Sequence, residues 1–315
     1  MALVCDVEAF FQQPGVIIDV RSPLEYAKGR ISGALSLPLF TDQERALVGT
    51  TYKQQGKDPA VFLGLQLTGP KLAAFVTQAQ SQADSKALKI YCWRGGMRSG
   101  AMGWLMELAG FRVATLKGGY KAYRKWCHRQ FERSFELIVI GGMTGCGKTE
   151  ALADLKERGE QVIDLEALAC HRGSAFGRVG ILEPQPSTEQ FENAIGEALA
   201  RFDLTRPVWI ENESRLIGTC HLPIALSQKM ASARLEVIER PREERIQRLL
   251  KEYGGASPEE LIAAIGRIEK HLGRVRAKSA SEAIQQGDLA QAIALVLDYY
   301  DSTYSHGLRR RNPLS

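Results

Sequence analysis

KIYCWRGGMRSG, residues 89–100, decides how the first part of the chain folds. The apolar pair Ile90-Tyr91 reads as the end of a buried strand that stops at Cys92. A Gly-rich turn carrying Arg94 and Arg98 follows, and then Ala101, Trp104, Leu105 and Leu108 repeat at helical spacing. A cysteine at such a strand-to-helix turn is expected to be exposed, among backbone N–H groups and arginines at a helix N-terminus. All of these favour a thiolate or a charged sulfur adduct over the neutral thiol. A half-buried structural cysteine is the plainer alternative.

Outward from this turn, strands and helices alternate. Val16–Val20 (VIIDV) is a strand, followed by Ser22 as an N-cap and Pro23 at the first helical position. Residues 29–38 are a loop feeding a second short strand, Leu72, Phe75, Val76 and Ala79 mark a helix after Pro70, and Arg112–Leu116 is another strand. The pattern predicts a parallel sheet covered by helices. A helix over Tyr120–Arg133 then leaves this region. It carries Lys121, Arg124, Lys125, His128 and Arg129 with Tyr123 and Trp126 between them, a composition suited to a phosphate backbone and unpaired bases. A solvated connecting helix would look the same.

The pattern restarts at Glu136. Leu137–Ile140 is a strand, followed at once by Gly142-Met143-Thr144-Gly145-Cys146-Gly147-Lys148-Thr149, a full G-x-x-x-x-G-K-[ST] match. Gly142, Gly145 and Gly147 let N–H groups, Cys146's included, turn around a phosphate, Lys148 neutralises it, and Thr149 can hold a metal or another oxygen. Gln161–Leu165 ends near Asp164 and Glu166, and a polar loop follows with His171, Arg172 and Ser174. Pro207–Ile210 ends at Glu211, Asn212 and Glu213, and Leu235–Ile238 at Arg240 and Arg242. Carboxylates and arginines therefore gather at strand carboxyl ends, where open α/β sheets bind ligands. Ser187 and Ser257 begin capping boxes. Leu261, Ala264, Ile265, Ile268 and Leu272 form a buried stripe, with Arg267, Lys270, Arg274 and Lys278 away from it as a phosphate-backbone track if the helix runs through Gly273. A last helix spans Leu289 to Tyr300, and Arg309-Arg310-Arg311 close a tail expected to be mobile.

The 315 residues suffice for two domains. A net charge of +5 is compatible with a polyanionic partner without requiring one. Six scattered cysteines without a C-x-x-C pair, and no signal-like N-terminus, suggest a reduced, cytoplasmic setting. No apolar run is expected to span a membrane. The Cys-His dipeptides at 127, 170 and 220 lack metal-ligand spacing, so no structural metal site is expected.

Ile18-Asp19-Val20-Arg21-Ser22-Pro23, Gly29-Arg30-Ile31, the Cys92 loop and Leu116-Lys117-Gly118-Gly119-Tyr120 together resemble a rhodanese domain, whose loop cysteine carries a sulfane sulfur or its selenium analogue. A rhodanese domain joined to a P-loop domain resembles the tRNA 2-selenouridine synthase family. Val48-Gly49-Thr50, Tyr52-Lys53-Gln54, the Cys92 and Gly145–Thr149 stretches, Asp164-Leu165-Glu166 and His171-Arg172-Gly173-Ser174 carry that likeness over nearly the whole chain. It implies an α/β chain: a rhodanese-like parallel-sheet domain with a basic linker helix over 1–133, then a P-loop NTPase-like α/β domain with a helical C-terminal part over 134–315. The implied activity is a two-step transfer on the wobble 2-thiouridine of tRNAs for Lys, Glu and Gln. Sulfur is geranylated by geranyl diphosphate, and the S-geranyl group is then replaced by selenium from selenophosphate.

The usual occupant of such a P-loop is ATP with Mg²⁺; the implied reaction needs no ATP hydrolysis, so Lys148 and Thr149 are expected to cradle geranyl diphosphate, with Arg240 and Arg242 as helpers for departing pyrophosphate and ATP as the alternative occupant. Asp164, Glu166, His171, Arg172, Ser174 and Glu211 supply polar groups. Lys121, Arg124, Lys125, Arg129, Arg267, Lys270 and Arg274 face tRNA, and the selenophosphate-producing enzyme is a further partner. One departure is informative. Rhodanese loops commonly read C-x-x-G-x-R, whereas here five residues separate Cys92 from Arg98, the spacing of cysteine phosphatases. A loop of that size suits selenophosphate, with Arg98 on its oxygens and Cys92 attacking or receiving selenium. A sulfurtransferase fused to a small-molecule kinase, a cysteine phosphatase, and a non-catalytic RNA-binding or nucleotide-sensing module remain as competing readings.

Overall fold

The computed structural model describes residues 2–83 and 85–311, with side chains through residue 303. The chain divides into two compact units, Met1–Gln130 and Phe131–Ser315.

The first unit is built on five parallel strands, β1 (Leu3–Cys5), β2 (Val16–Asp19), β3 (Leu35–Ser36), β4 (Ala87–Tyr91) and β5 (Arg112–Leu116), in the order β1-β5-β4-β2-β3. β4 is central and buried along its whole length. Side chains of a strand alternate between faces, and here the alternation separates two cores. Leu88 and Ile90 join Ile18, Met102 and Met106 on one face, while Tyr91 joins Phe10, Leu116, Tyr120 and Tyr123 on the other. The helix Met97–Leu108 follows the Cys92 loop directly. The helices Asp42–Gln55 and Lys57–Thr68 have no counterpart in the sequence reading; their apolar residues follow no clear helical face, and Leu47, Phe62 and Leu65 are exposed.

Contrary to the expectation of no span-length apolar run, Lys57–Gln82 has the length and composition of a membrane-crossing helix. In the fold it is broken by the 3-10 turn Gly69–Lys71 at Pro70, and Ala60, Gly64, Thr68, Phe75 and Ala79 are buried.

The second unit carries the parallel strands β6 (Leu137–Gly141), β7 (Gln161–Ile163), β8 (Val208–Glu211) and β11 (Arg234–Val237), ordered β11-β6-β8-β7. A small antiparallel pair, β9 (Leu216–Ile217) and β10 (Cys220–His221), stands apart from this sheet. The unit has two cores. One joins Val139, Ile163 and Ile210 to the helix Thr188–Arg201, which Ser187 caps by accepting the Gln190 N–H at 3.0 Å. The other is all-helical, between Arg242–Tyr253, Pro258–Leu272, Arg274–Gln285 and the last helix, Leu289–Arg311.

Two expectations change here. The helix does not pass Gly273, whose φ of +88° ends one helix and starts the next, so Arg274 lies on a different helix from Arg267 and Lys270. The backbone of Arg309-Arg310-Arg311, expected to be a mobile tail, belongs to the last helix; their side chains lie outside the described residues.

Candidate active site

Cys92 sits at the carboxyl end of the central strand, the position where parallel sheets place ligands. Its loop is fixed from behind. The Tyr120 N–H donates to the Cys92 carbonyl at 2.8 Å and the Lys121 N–H to the Trp93 carbonyl at 3.0 Å. Gly95 takes φ +63°, and a Cβ there would strike the Leu116 carbonyl oxygen, so only glycine fits.

Cys92 is 3% exposed, which corrects the expectation of an exposed thiol. Burial pushes its pKa up, but the Ser99 hydroxyl and the N–H groups of Ser99, Gly96 and Arg94 together outweigh it and hold the thiol below its ordinary range. The Sγ lies 3.2 Å from Ser99 Oγ, which is also 3.1 Å from the Gly96 carbonyl. The single hydroxyl proton can therefore face the carbonyl when the thiol is neutral and the sulfur when it is charged.

The arginines act differently from expectation. Arg98 Nη1 donates to Glu25 Oε2 at 2.7 Å, so its guanidinium is committed to a carboxylate and not to the loop interior. Arg94 contributes its backbone N–H, while its side chain is exposed. The loop is a cradle of N–H donors around a nucleophilic sulfur, a geometry suited to tetrahedral oxyanions.

Beneath it lies a buried network that sequence reading found only as part of a motif. Arg21, fully buried, donates to Asp19 Oδ2 and to the Gly29 carbonyl, both at 2.6 Å, and stacks 3.8 Å over the Tyr120 ring. Tyr91 donates to Asp19 at 2.6 Å. These contacts hold Tyr91, the residue before Cys92, and the Tyr120 ring without touching the Cys92 sulfur.

In the second unit the P-loop turns from β6 into the helix Lys148–Glu157. It opens on a cavity of about 990 Å³ lined by Gly142, Gly145, Cys146, Gly147, Lys148, Thr149, Asp164, Glu166, His171, Arg172, Ser174 and Glu213. Burial lowers the Lys148 pKa, but Glu213, Cys146, Glu166 and Glu211 more than reverse it, and the ammonium stays charged. Glu166 and Glu213 are both raised, each chiefly by burial, and Glu166 further by Glu213. Glu211 is pushed up to about 9 by burial and then by Asp164. It does not line the cavity; it accepts the Glu166 N–H at 2.6 Å and so positions that residue from below. Asp164 caps the next helix through the Ala167 N–H at 2.8 Å.

His171 is 8% exposed and its Nδ1 has no hydrogen-bond partner, while burial, Arg178 and Arg267 push its pKa down. It presents a neutral imidazole to the cavity. Arg172 pairs with Glu252 at 3.0 Å.

Arg240 and Arg242, expected beside a leaving diphosphate, do not line the cavity. Arg240 Nε braces the P-loop by donating to the Cys146 carbonyl at 2.6 Å, and Arg242 is tied to Asp298 and to the Ala294 carbonyl in the last helix. Lys251, which sequence reading missed, lines the cavity, and so does Arg248, which pairs with Glu150. The position of Arg248 three residues past Arg245 was visible, but nothing in the pattern separated one from the other. Arg245 turns inward to Asp301, at 2.7 Å to each oxygen, and to the Thr144 carbonyl at 3.2 Å.

Of the residues expected to meet nucleic acid, Lys121, Lys125 and Arg129 are exposed on the helix Gly119–Glu132, and Arg124 bonds His128 at 2.9 Å. Tyr123 is buried in the core and Trp126 is half-buried against Phe11, with ring centroids 5.4 Å apart. The expected aromatic interleaving is therefore packing, and Tyr123 is not presented for base stacking. Arg267 clamps the Ala175 carbonyl at 2.8 Å, a strut to the His171 loop region, while Lys270 and Arg274 are exposed.

Comparison with known proteins places both halves. A rhodanese-like domain matches residues 6–125, and the tRNA 2-selenouridine synthase AAA domain matches residues 135–313. Proteins named tRNA 2-selenouridine synthase from Marinobacter nauticus and Alcanivorax borkumensis are each 35% identical to this chain, over 94% and 98% of it and 89% and 93% of their own lengths. One from Sulfurovum sp. is also 35% identical, over 93% of this chain and 89% of its own. A crystal structure of the N-terminal domain of a putative ATP/GTP binding protein from Clostridium difficile 630 is 40% identical over 39% of this chain and 97% of its own, with a TM-score of 0.37. On the family matches and the relatives along its length, the chain belongs to the tRNA 2-selenouridine synthase family.

Proposed function

We propose that this chain converts the wobble 2-thiouridine of tRNAs for Lys, Glu and Gln into 2-selenouridine in two transfers, one for each phosphate cradle. The observation that carries this reading is the contrast between the cradles. One surrounds a nucleophilic sulfur, Cys92; the other presents a charged Lys148 at a helix N-terminus, suited to holding a diphosphate. In the first transfer the thiouridine sulfur attacks C1 of geranyl diphosphate. A C–S bond forms, the C–O bond breaks, pyrophosphate leaves onto Lys148 and the P-loop N–H groups, and the base loses its N3 proton. ATP hydrolysis has no place in this scheme.

Mg²⁺ suits the donors available. It binds through one or two carboxylates together with substrate phosphates and water, and Glu166 lies 3.5 Å from the Thr149 hydroxyl. Thr149 and Glu166 would hold the ion, which supplies charge neutralisation at the diphosphate. No group of three or more protein ligands is assembled among the described residues.

In the second transfer Cys92 attacks the phosphorus of selenophosphate. The S–P bond forms, the P–Se bond breaks, and hydrogen selenide anion is released to attack C2 of the geranylated base, from which geranylthiol departs after taking up a proton. Water then cleaves the S–P bond to give phosphate and restore the thiol. The N–H groups that stabilise the thiolate would carry the phosphoryl oxygens, which places Arg98 outside this step, paired with Glu25. The selenophosphate-producing enzyme is the natural supplier, since a labile selenium donor is best passed on directly. The exposed Lys121, Lys125 and Arg129 suit the tRNA backbone. Nucleoside mass spectrometry of thiolated tRNA tests the sequence of events. Geranyl diphosphate alone should give S-geranylated nucleoside, and adding selenophosphate should give selenouridine. Selenouridine formed without geranyl diphosphate would overturn it.

A further inference from the structure

Beside the P-loop cavity lies a second space of opposite character. It is an apolar slot between the end of helix Arg242–Tyr253 and the three C-terminal helices, walled by Phe176, Leu249, Leu261, Ile265, Ile293 and Val296. Thr144, Ser174, Leu249, Tyr253 and Tyr300 line both spaces, so the slot opens where the P-loop cavity ends. The hydroxyls available to a ligand belong to this shared boundary; the walls beyond it are hydrocarbon. A purine carries ring nitrogens that need partners, and burying them here would leave them unpaired. An unbranched or methyl-branched hydrocarbon needs none.

We propose that the slot is the tail subsite of a prenyl diphosphate whose head lies on the P-loop, and that it sets which chain length the protein accepts. The proposal rests on the reading of the P-loop as a diphosphate cradle and adds the residues that select the organic group. As it stands the slot has a volume of about 40 Å³, room for a few waters. A prenyl chain therefore enters by parting the helices. Half-buried Leu289, the first residue of the last helix, and Tyr300, whose hydroxyl accepts the Ala175 N–H at 3.3 Å, belong to the lining that must give. Burial of a tail also predicts a negative heat-capacity change that the head group alone lacks.

Calorimetric titration of the full chain with inorganic pyrophosphate, dimethylallyl diphosphate and geranyl diphosphate tests this. Each buried methylene is worth about fourfold in affinity. Burying part of the geranyl chain should therefore make geranyl diphosphate on the order of a hundredfold tighter than pyrophosphate, with dimethylallyl diphosphate between. Ala292, buried in the lining, offers a way to fill the slot, and Leu289 a way to charge it at a helix N-terminus that tolerates an acid. Ala292→Phe and Leu289→Asp should each weaken geranyl diphosphate at least about tenfold while leaving pyrophosphate unchanged. If Ala292→Phe does not fold, the chain-length series on the unaltered protein still decides. Geranyl diphosphate that competes with pyrophosphate but binds no tighter would refute the slot and leave the P-loop reading standing. ATP binding that neither diphosphate displaces would refute both.

Discussion

Cys92 is held below the ordinary thiol range by a hydroxyl and three N–H groups despite being buried, and among the described residues Ser99 is its one side-chain partner. Ser99→Ala should therefore raise the thiol pKa, moving the pH profile of Cys92 alkylation by iodoacetamide to higher pH, and an unmoved profile would show that the backbone alone sets it. Glu211 makes a second residue-scale case. Its folded pKa of about 9, against roughly 4.3 in the unfolded chain, means that the folded state holds a proton the unfolded state has released. Folding is then penalised increasingly as pH rises from about 4 to 9. Gln can accept the Glu166 N–H without that penalty, so the melting temperature of Glu211→Gln relative to the parent should climb between pH 5 and pH 9. A constant difference would mean that Glu211 is ionised in the fold. Cys92 was legible because a strand, a glycine turn and a helix start bracket it. Ser99's role and the diversion of Arg98 were not, since Glu25 lies 73 residues away and no local pattern links the two.

Among the elements, the Cys92 loop depends on Gly95 taking a conformation and a close approach that a side chain forbids. Gly95→Ala should lose activity and at least about 2 kcal/mol of stability, measured by urea denaturation. The helix Gly119–Glu132 buries Tyr123 and exposes Lys121, Lys125 and Arg129. Replacing those three by Ala should weaken tRNA binding and lower the salt slope of log K by about 2–3; an unchanged slope would assign the basic face to solvent. Strand ends, the P-loop and the buried helical stripe could be read from periodicity and glycine placement. The track through Gly273 could not, because continuity of a helix across a glycine is decided by tertiary packing and here goes against it. The helices Asp42–Gln55 and Lys57–Thr68 escaped for a related reason: their apolar residues lie on several faces, so periodicity gives no signal.

At the scale of the molecule, two α/β units each end a sheet in a glycine-rich loop, and the first loop surrounds Cys92, whose thiol is held below its ordinary range. Cys146 in the other is buried within the P-loop, in front of the Arg240 brace on its carbonyl. The division of the two transfers between the units follows from the proposed scheme. It is tested most directly by nucleoside mass spectrometry of thiolated tRNA after incubation with geranyl diphosphate and selenophosphate, comparing the parent with Cys92→Ser and Lys148→Ala. Selenouridine is expected from the parent, S-geranylated nucleoside should accumulate with Cys92→Ser, and thiouridine should remain unreacted with Lys148→Ala. Selenouridine formed at the parental rate by Cys92→Ser would contradict it.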